Sequence, residues 1–546
     1  MKKEKQNRRE FLKTGAAGLA AIALFRNAKG EIVTIPDGDP FQELVEVNIT
    51  ELQAKMKSGQ LTSRRLTEMY LERIKQIDTK TRSVLELNPD ALAIADQMDK
   101  ERKKGKIRSM MHGIPILIKD NIDTADKMHT TAGSWALYDA PTPKFDAFVA
   151  EKLRKSGAVI MGKTNLSEWA NFRSTGTPTR QTSGWSGRGG QTNMPYFLDQ
   201  NPSGSSSGSA VAVSANLIPV AIGSETNGSI ISPAVTNGIV GIKPTVGLVS
   251  RSGIIPISHS QDTAGPMARS VTDAAIVLTA IAGMDRRDPA TANADKRKDK
   301  DYTKFLDVMG LKGARLGLIT SPPQRPVMLE AWKAFYEPFI QKLRDAGATL
   351  VDVKFPDFGQ TAGADRLAVL EYEFKADLNK YLTARGGQNK TLADIIKFNE
   401  DNKDKELQIF GQELFTQSQA KGDLTDKAYM DALARAQKQT REDGIDKLLA
   451  ANKLDALVGP TAGALWSIAA VAGYPSITVP LGLRDIPAAP AQGNIPVSTA
   501  SIQTAGMFFF GAAWSEPKLI KYAYAFEQLT KGRVAPQFLP TIPKKS

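Results

Sequence analysis

Short apolar runs of three to five residues recur between helical stretches along most of this chain, and nothing else in it restricts the fold as tightly. They are Ile114–Ile118, Ala158–Met161, Ile218–Ile222, Ile239–Ile242, Arg315–Ile319, Thr349–Val353, Ala456–Val458, Ile477–Val479 and Phe508–Phe510. Runs of this kind, bounded by glycine and proline, read as strands buried on both faces of a sheet. Between them lie segments of helical period: Thr62 is placed as an N-cap ahead of Leu66, Met69, Tyr70, Ile74 and Ile77. The pattern therefore predicts an α/β fold with a large sheet covered by helices on both sides. Residues Leu329–Leu449, the most charged and most helical part, are expected to form a helical layer or cap, and Asp285–Lys304 a surface loop. A length of 546 residues allows several domains. The absence of repeats or long linkers favours a single unit from residue 31 to 546.

Composition removes several chemistries. With no cysteine, disulfides, thiolate nucleophiles and zinc–thiolate sites are excluded. No HExxH motif or local His/Asp/Glu ligand set is present, so no metal and no other cofactor is expected. Net charge is +13, yet residues 1–30 alone hold eight Lys/Arg against two Asp/Glu. The remaining excess is mild and lacks interleaved aromatics, which argues against nucleic acid as a partner.

The N-terminus reads as a targeting segment. Asn7-Arg8-Arg9-Glu10-Phe11-Leu12-Lys13 precedes a twelve-residue run from Thr14 to Phe25, mostly Gly, Ala, Leu and Ile. A bilayer span needs about 20 apolar residues, so stable membrane insertion is not expected. Paired arginines before a modest apolar core resemble a twin-arginine export signal occupying residues 1–30. The twin-arginine translocase would then be a partner during export, and the location periplasmic or secreted. An ordinary N-terminal helix is the competing reading, but Gly15-Ala16-Ala17-Gly18 is poor helix material.

Three stretches carry chemistry. Lys119 directly follows Ile116-Leu117-Ile118, which places its stem in the interior. Burial disfavours the charged form of a lysine and so prepares it as a base. Ser203–Ser209, a Gly/Ser run, opens onto the small apolar stretch Ala210–Ala215. It is either a flexible loop or a glycine loop presenting N–H groups at the start of a buried helix. It lacks the Gly-Lys-Ser/Thr ending of a phosphate-binding loop. Gly223–Ile230 follows a strand, which puts Ser229 at a sheet's carboxyl edge, where open α/β sheets hold their ligands. Gly228 lets the N–H groups of Thr226, Asn227 and Gly228 converge, as an oxyanion hole requires. An ordinary turn and a surface lysine are the alternatives for these last two features. With only His112, His129 and His259 available, a lysine-based hydrolase is favoured over a serine–histidine one.

These stretches resemble the amidase signature family, whose pattern runs Lys-Asp, then Gly-Gly-Ser-Ser-Gly-Gly-Ser-Ala, then Gly-Ser-Asp-Thr-Gly-Gly-Ser-Ile. Ser205 and Ser229 lie 24 positions apart, the separation that family keeps. Lys163-Thr164-Asn165, Gly241–Thr245 and Gly265–Arg269 match as well, and the resemblance extends from about Ile49 to about Lys531. It implies an α/β/α sandwich around a large mixed sheet, Lys119 as base, Ser205 as relay on a cis peptide, and Ser229 as acylated nucleophile. It further implies Thr226, Asn227 and Gly228, with the Ser229 amide, as oxyanion hole, and Ser206 as support for the relay. Glu225, Asn227 and Ile231 depart from the pattern; Ile231 replaces a common arginine and so makes a carboxylate-bearing substrate less favoured.

The version of the serine loops looks most like peptide amidases, which hydrolyse C-terminal carboxamides of peptides. Trp169–Phe172 and Ser183–Trp185 fit that subgroup too; Asn171 and Trp185 are thus candidates for the substrate pocket, with packing an equal alternative. The expectation is an exported, monomeric amide hydrolase acting on small-molecule or peptide amides through an acyl-enzyme. Two other readings are a glutaminase component of a tRNA-dependent amidotransferase, and a non-catalytic binding protein on an amidase scaffold.

Overall fold

Every expected apolar run forms a strand of the main sheet, and two further strands join that sheet where no run was read. The computed structural model describes residues 25–26, 32–33, 41–175, 183–321, 323–358, 361–461, 463–488 and 501–543. Numbered along the chain, the main sheet contains β1 (Val84–Leu87), β2 (Pro115–Lys119), β3 (Val159–Thr164), β4 (Val220–Glu225), β5 (Val240–Lys243) and β6 (Thr263–Ala268). It continues with β7 (Arg315–Leu318), β8 (Thr349–Asp352), β9 (Ala456–Pro460), β10 (Ser476–Ile486) and β11 (Ser501–Phe510). The lateral order is β8-β7-β9-β11-β10-β5-β6-β4-β2-β3-β1. The sheet is mixed: β2 runs parallel to β3 and β4, and β7 to β8 and β9, while the other neighbours are antiparallel.

Register positions the chemistry. Ile116, Leu117 and Ile118 lie opposite Val220, Ala221 and Ile222, so the carboxyl ends of β2 and β4 emerge side by side. Antiparallel β6 sets Thr263 opposite Glu225, which brings Asp262 to the same edge.

Helices cover both faces, giving the α/β/α arrangement around a large mixed sheet. Helix α1 (Ser63–Thr81) begins at the expected cap, Thr62, whose side chain accepts from the Arg65 N–H. Its Leu66, Met69, Tyr70, Ile74 and Ile77 are buried, each contributing roughly 1.5–3 kcal/mol of apolar burial. Helix α2 (Ser207–Ser214) is buried at all eight positions, so small residues are needed throughout. At Gly208 a Cβ would meet the Ser83 carbonyl oxygen at 2.3 Å. Helix α3 (Ile231–Thr236) follows the Ser229 loop. Helices α4 (Thr361–Arg385) and α5 (Gly463–Ala472) flank the same region.

The segment expected as a helical layer is mainly helix, with β8 inside it. Phe374, Leu378 and Leu382 of α4 pack with Leu392, Ile395, Leu414 and Phe415 against Trp169, Phe172, Ile255 and Ile257, which closes the cap over the loops at the sheet edge. The stretch Asp285–Lys304 is mostly exposed, as expected of a surface loop, but it contains short helical turns and is anchored at two positions. Asp285 and Asp288 are buried, and the Asp288 carboxylate takes the Arg251 guanidinium in two hydrogen bonds of 2.9 and 2.5 Å. That pairing ties the segment down.

From Phe41 onward the described residues form one compact unit. Before it, the strands Phe25–Arg26 and Ile32–Val33 pair antiparallel. The rest of the export-signal expectation lies outside the described residues. Among the described residues no helix is long and apolar enough to cross a membrane.

Candidate active site

Lys119 is the last residue of β2 and fully buried. Its Nζ donates to Ser205 Oγ at 2.7 Å, to Ser224 Oγ at 2.9 Å and to the Ser224 carbonyl at 3.3 Å. Burial pulls its pKa down to about 7, with Asp262 and Glu225 partly opposing. The amine thus has a substantial neutral fraction near physiological pH, and its hydrogen-bond partners are hydroxyls and a carbonyl, not carboxylates.

The Gly204–Ser205 peptide bond is cis. The loop around it is held by its own hydroxyls. Ser207 Oγ donates to the Ser203 carbonyl at 2.6 Å, and Ser206 Oγ donates to the Ser224 carbonyl at 3.0 Å while accepting the Ser224 N–H at 3.2 Å. At Gly204 a Cβ would lie 2.2 Å from Ser167 Oγ, so a side chain has no room there. The Ser206 N–H donates to the Ser229 carbonyl at 3.1 Å, which ties the serine loop to the second serine.

Ser229 lies in the turn between β4 and α3, with 8% of its surface exposed. The backbone N–H groups of Thr226, Asn227, Gly228 and Ser229 donate to no protein acceptor among the described residues. The next two amides, of Ile230 and Ile231, are taken by Glu225 Oε2 at 2.7 and 3.0 Å. Glu225 therefore satisfies the start of α3 and leaves the four preceding donors for something else. Gly228 has φ +83°, and a Cβ on it would meet Trp466 Nε1 at 2.5 Å. This glycine answers both a left-handed backbone and an indole packed against the turn.

Several neighbours come from distant parts of the chain. Ser224, in contact with Lys119, also accepts from Asn121 Nδ2 at 2.9 Å. Asp262 accepts from Thr226 Oγ1 and from the N–H groups of Ile257 and Ser258; burial raises its pKa to about 6. Asn227 Nδ2 donates to Ser467 Oγ of α5 at 3.2 Å, and Arg366 of α4 reaches the same oxygen at 3.4 Å. None of Ser224, Asp262, Trp466, Ser467 or Arg366 was singled out from the sequence. Ser224 lies within Gly223–Ile230 and Asp262 just before Gly265–Arg269, the local signals that could have found those two.

The pocket candidates part ways. Asn171, at φ 68°, closes a left-handed run with Trp169 and Ala170, and its Oδ1 is buried without a hydrogen-bond partner. Ala170 borders a small cavity together with Asn121, Ser224, Thr226 and Asp262. Trp185 is buried edge-on against Phe410, 5.2 Å between ring centroids, with the Arg173 guanidinium 5.4 Å from its own ring. It serves packing there. Ile231 is fully buried among Ile319, Leu457, Leu465 and Ile468, so it belongs to the core and not to a substrate wall.

The fold also gathers His259, Glu373 and Asp377, a set invisible in sequence. His259 Nδ1 lies 2.8 Å from Asp377 Oδ2, and Nε2 lies 3.4 Å from Glu373 Oε1. The Asp377 hydrogen bond chiefly raises the imidazole pKa, as befits an ion-paired ring fastening the Ser258–Asp262 loop to α4.

The family model described as Amidase matches residues 65–520. The native peptide amidase from Stenotrophomonas maltophilia superposes with a TM-score of 0.82 at 49% identity, covering 90% of this chain and 99% of that one. An Arabidopsis thaliana protein described as a probable amidase is 41% identical over 505 residues, 90% of this chain and 92% of its own length. The A component of glutamyl-tRNA(Gln) amidotransferase from Thermoanaerobacter pseudethanolicus is 31% identical over 523 residues, covering 91% of this chain and 99% of its own.

Proposed function

The chain belongs to the amidase family and is an amide hydrolase; we propose that it hydrolyses the C-terminal carboxamides of peptides through an acyl-enzyme on Ser229. The observation that carries the mechanism is the 2.7 Å contact between a buried, weakly basic Lys119 and Ser205. In the acylation step Ser229 Oγ attacks the amide carbon and gives its proton to Ser205, whose own proton passes to Lys119. The oxyanion is held by the free amides of Thr226–Ser229. The C–N bond then breaks as the proton returns through Ser205 to the nitrogen, and ammonia leaves. Water attacks the ester by the same proton path in reverse, releasing the carboxylic acid and restoring Ser229.

The substrate side rests on the likeness to the peptide amidase over nearly the whole chain. A competition assay read by ammonia release tests it. Peptidyl amides are expected to exceed free glutamine in kcat/KM by at least about tenfold, roughly 1.4 kcal/mol in transition-state binding. Free glutamine brings a charged ammonium close to the reacting amide, and burying it without a partner is costly. The similarity to the amidotransferase component favours the second reading, a glutaminase that works within such an enzyme. Glutamine matching the best peptide amide would replace the first reading with the second.

Export through the twin-arginine route belongs to the same proposal and rests on Arg8-Arg9 ahead of the apolar run. Arg8→Lys with Arg9→Lys is expected to leave active enzyme in the cytoplasmic fraction. Undiminished periplasmic activity in the double variant removes the export reading.

A further inference from the structure

Among the described residues, Arg366 is a cation without an anion. It lies in the first turns of α4, partly buried, and it forms no salt bridge with any of them. Among the described residues its buried Nε has no hydrogen-bond partner, and its guanidinium makes one hydrogen bond, the 3.4 Å contact to Ser467 Oγ. The adjacent carboxylate is occupied elsewhere, since Asp365 binds Arg435 through two hydrogen bonds of 2.9 and 2.8 Å. Burial lowers the Arg366 pKa, and no carboxylate acts against it. A guanidinium presents five N–H donors, so most of this one's capacity is uncommitted.

Ser467 sharpens the point. Its oxygen accepts from both Arg366 and Asn227, and its own O–H donates to no protein acceptor among the described residues. A hydroxyl with donors on its lone pairs has its hydrogen left to give. The Asn227 side chain thus links the loop of free amides, Thr226–Ser229, to Ser467 and Arg366, whose remaining donors meet no acceptor among the described residues. The amides serve the oxyanion. Arg366 and Ser467 stand one residue beyond, past Asn227 and beside Trp466.

We propose that Arg366 and Ser467 form an anion subsite on the acyl side of the cleft, which takes the side-chain carboxylate of an acidic residue near the scissile carboxamide. The inference rests on the peptide-amide reading above and names a preference within it. It also reverses the expectation drawn from Ile231, because a cation is supplied from α4 and not from α3.

The test uses N-acetylated dipeptide amides in matched pairs, Glu against Gln, at the carboxamide-bearing residue and at the one before it. The parent enzyme is expected to prefer the Glu form by about tenfold in kcat/KM at one of the two positions, the scale of one charge-assisted hydrogen-bond pair. Arg366→Gln brings that ratio to about one, Arg366→Lys retains part of it, and Arg366→Glu inverts it. The parent's ratio falls as salt is raised, as expected for a partly exposed charge pair. The ratio is internal to each variant, so an overall loss of active protein does not mimic the effect. A ratio near one in the parent at both positions, or a preference that survives Arg366→Gln, overturns the subsite. If no peptide amide is cleaved while simple primary amides are, the peptide reading fails instead. The subsite is then judged by the same ratio for succinamic acid against butyramide.

Discussion

Ser229→Ala is expected to leave a folded protein that hydrolyses amides at least about ten-thousandfold more slowly, the scale seen when a covalent nucleophile is removed. The side chain lies in a turn whose shape is set by Gly228 and by the Glu225 carboxylate on the Ile230 and Ile231 amides, not by the Ser229 hydroxyl. Unfolding temperature is therefore expected to move little. The backbone donors of Thr226–Ser229 remain, so the variant still binds substrate and shows the residual rate that positioning and oxyanion stabilisation supply. Ser205→Ala is expected to cost less, because water can fill part of a relay. Ammonia release and unfolding temperature measured on both variants decide this; near-parental turnover in Ser229→Ala would overturn the mechanism.

Lys119→Ala is the companion experiment, with an expected loss of about a thousandfold or more. It carries a second signature. Lys119 accepts a proton only when neutral, and burial sets its pKa at about 7. In the parent enzyme kcat/KM is thus expected to fall about tenfold per pH unit below that value and to level off above it. The sign follows from the lowered pKa: acid returns the proton to the amine and disables it. In Lys119→Ala this limb disappears together with the rate. The variant also removes the donor shared by Ser205 and Ser224, so Lys119→Met, which keeps the stem's volume, separates lost chemistry from a lost packing contact. A parent rate that declines steadily from about pH 6 to about pH 8 would contradict a lysine base.

The sequence disclosed what is local. Lys119, Ser205 and Ser229 each stand beside a strand run or a glycine turn, signals that occupy fewer than ten neighbouring residues. Strands with continuous apolar runs were equally legible. Strand β1 was not, because it is a partly exposed edge strand reading Val-Leu-Glu-Leu. Strand β6 was not, because Gly265 and Pro266 argue against a central strand, and yet it pairs with both β4 and β5. The partners of the site were hidden for a different reason. Ser224 meets Lys119 across 105 positions, and Ser467 meets Asn227 across 240. No periodicity encodes such pairs; only the register of the sheet and the placement of the cap create them. The same gap misled the reading of Ile231, whose neighbours in the core could not be known from the residues around it.

The strand order has a consequence for how the chain is made. All three residues of the proposed mechanism precede β5, yet β5 finds its outer neighbour in β10, where Ser476 pairs with Lys243. Between those partners lie more than two hundred residues, roughly ten to fifty seconds of synthesis at ordinary rates. Throughout that interval the half-sheet from β1 to β6 has an open rim of unpaired backbone groups, a template for unwanted association. The strand on that rim is only four residues long and buried once the molecule is complete. The part of the enzyme that carries its chemistry is thus born early, and its border is sealed by nearly the last segment to emerge.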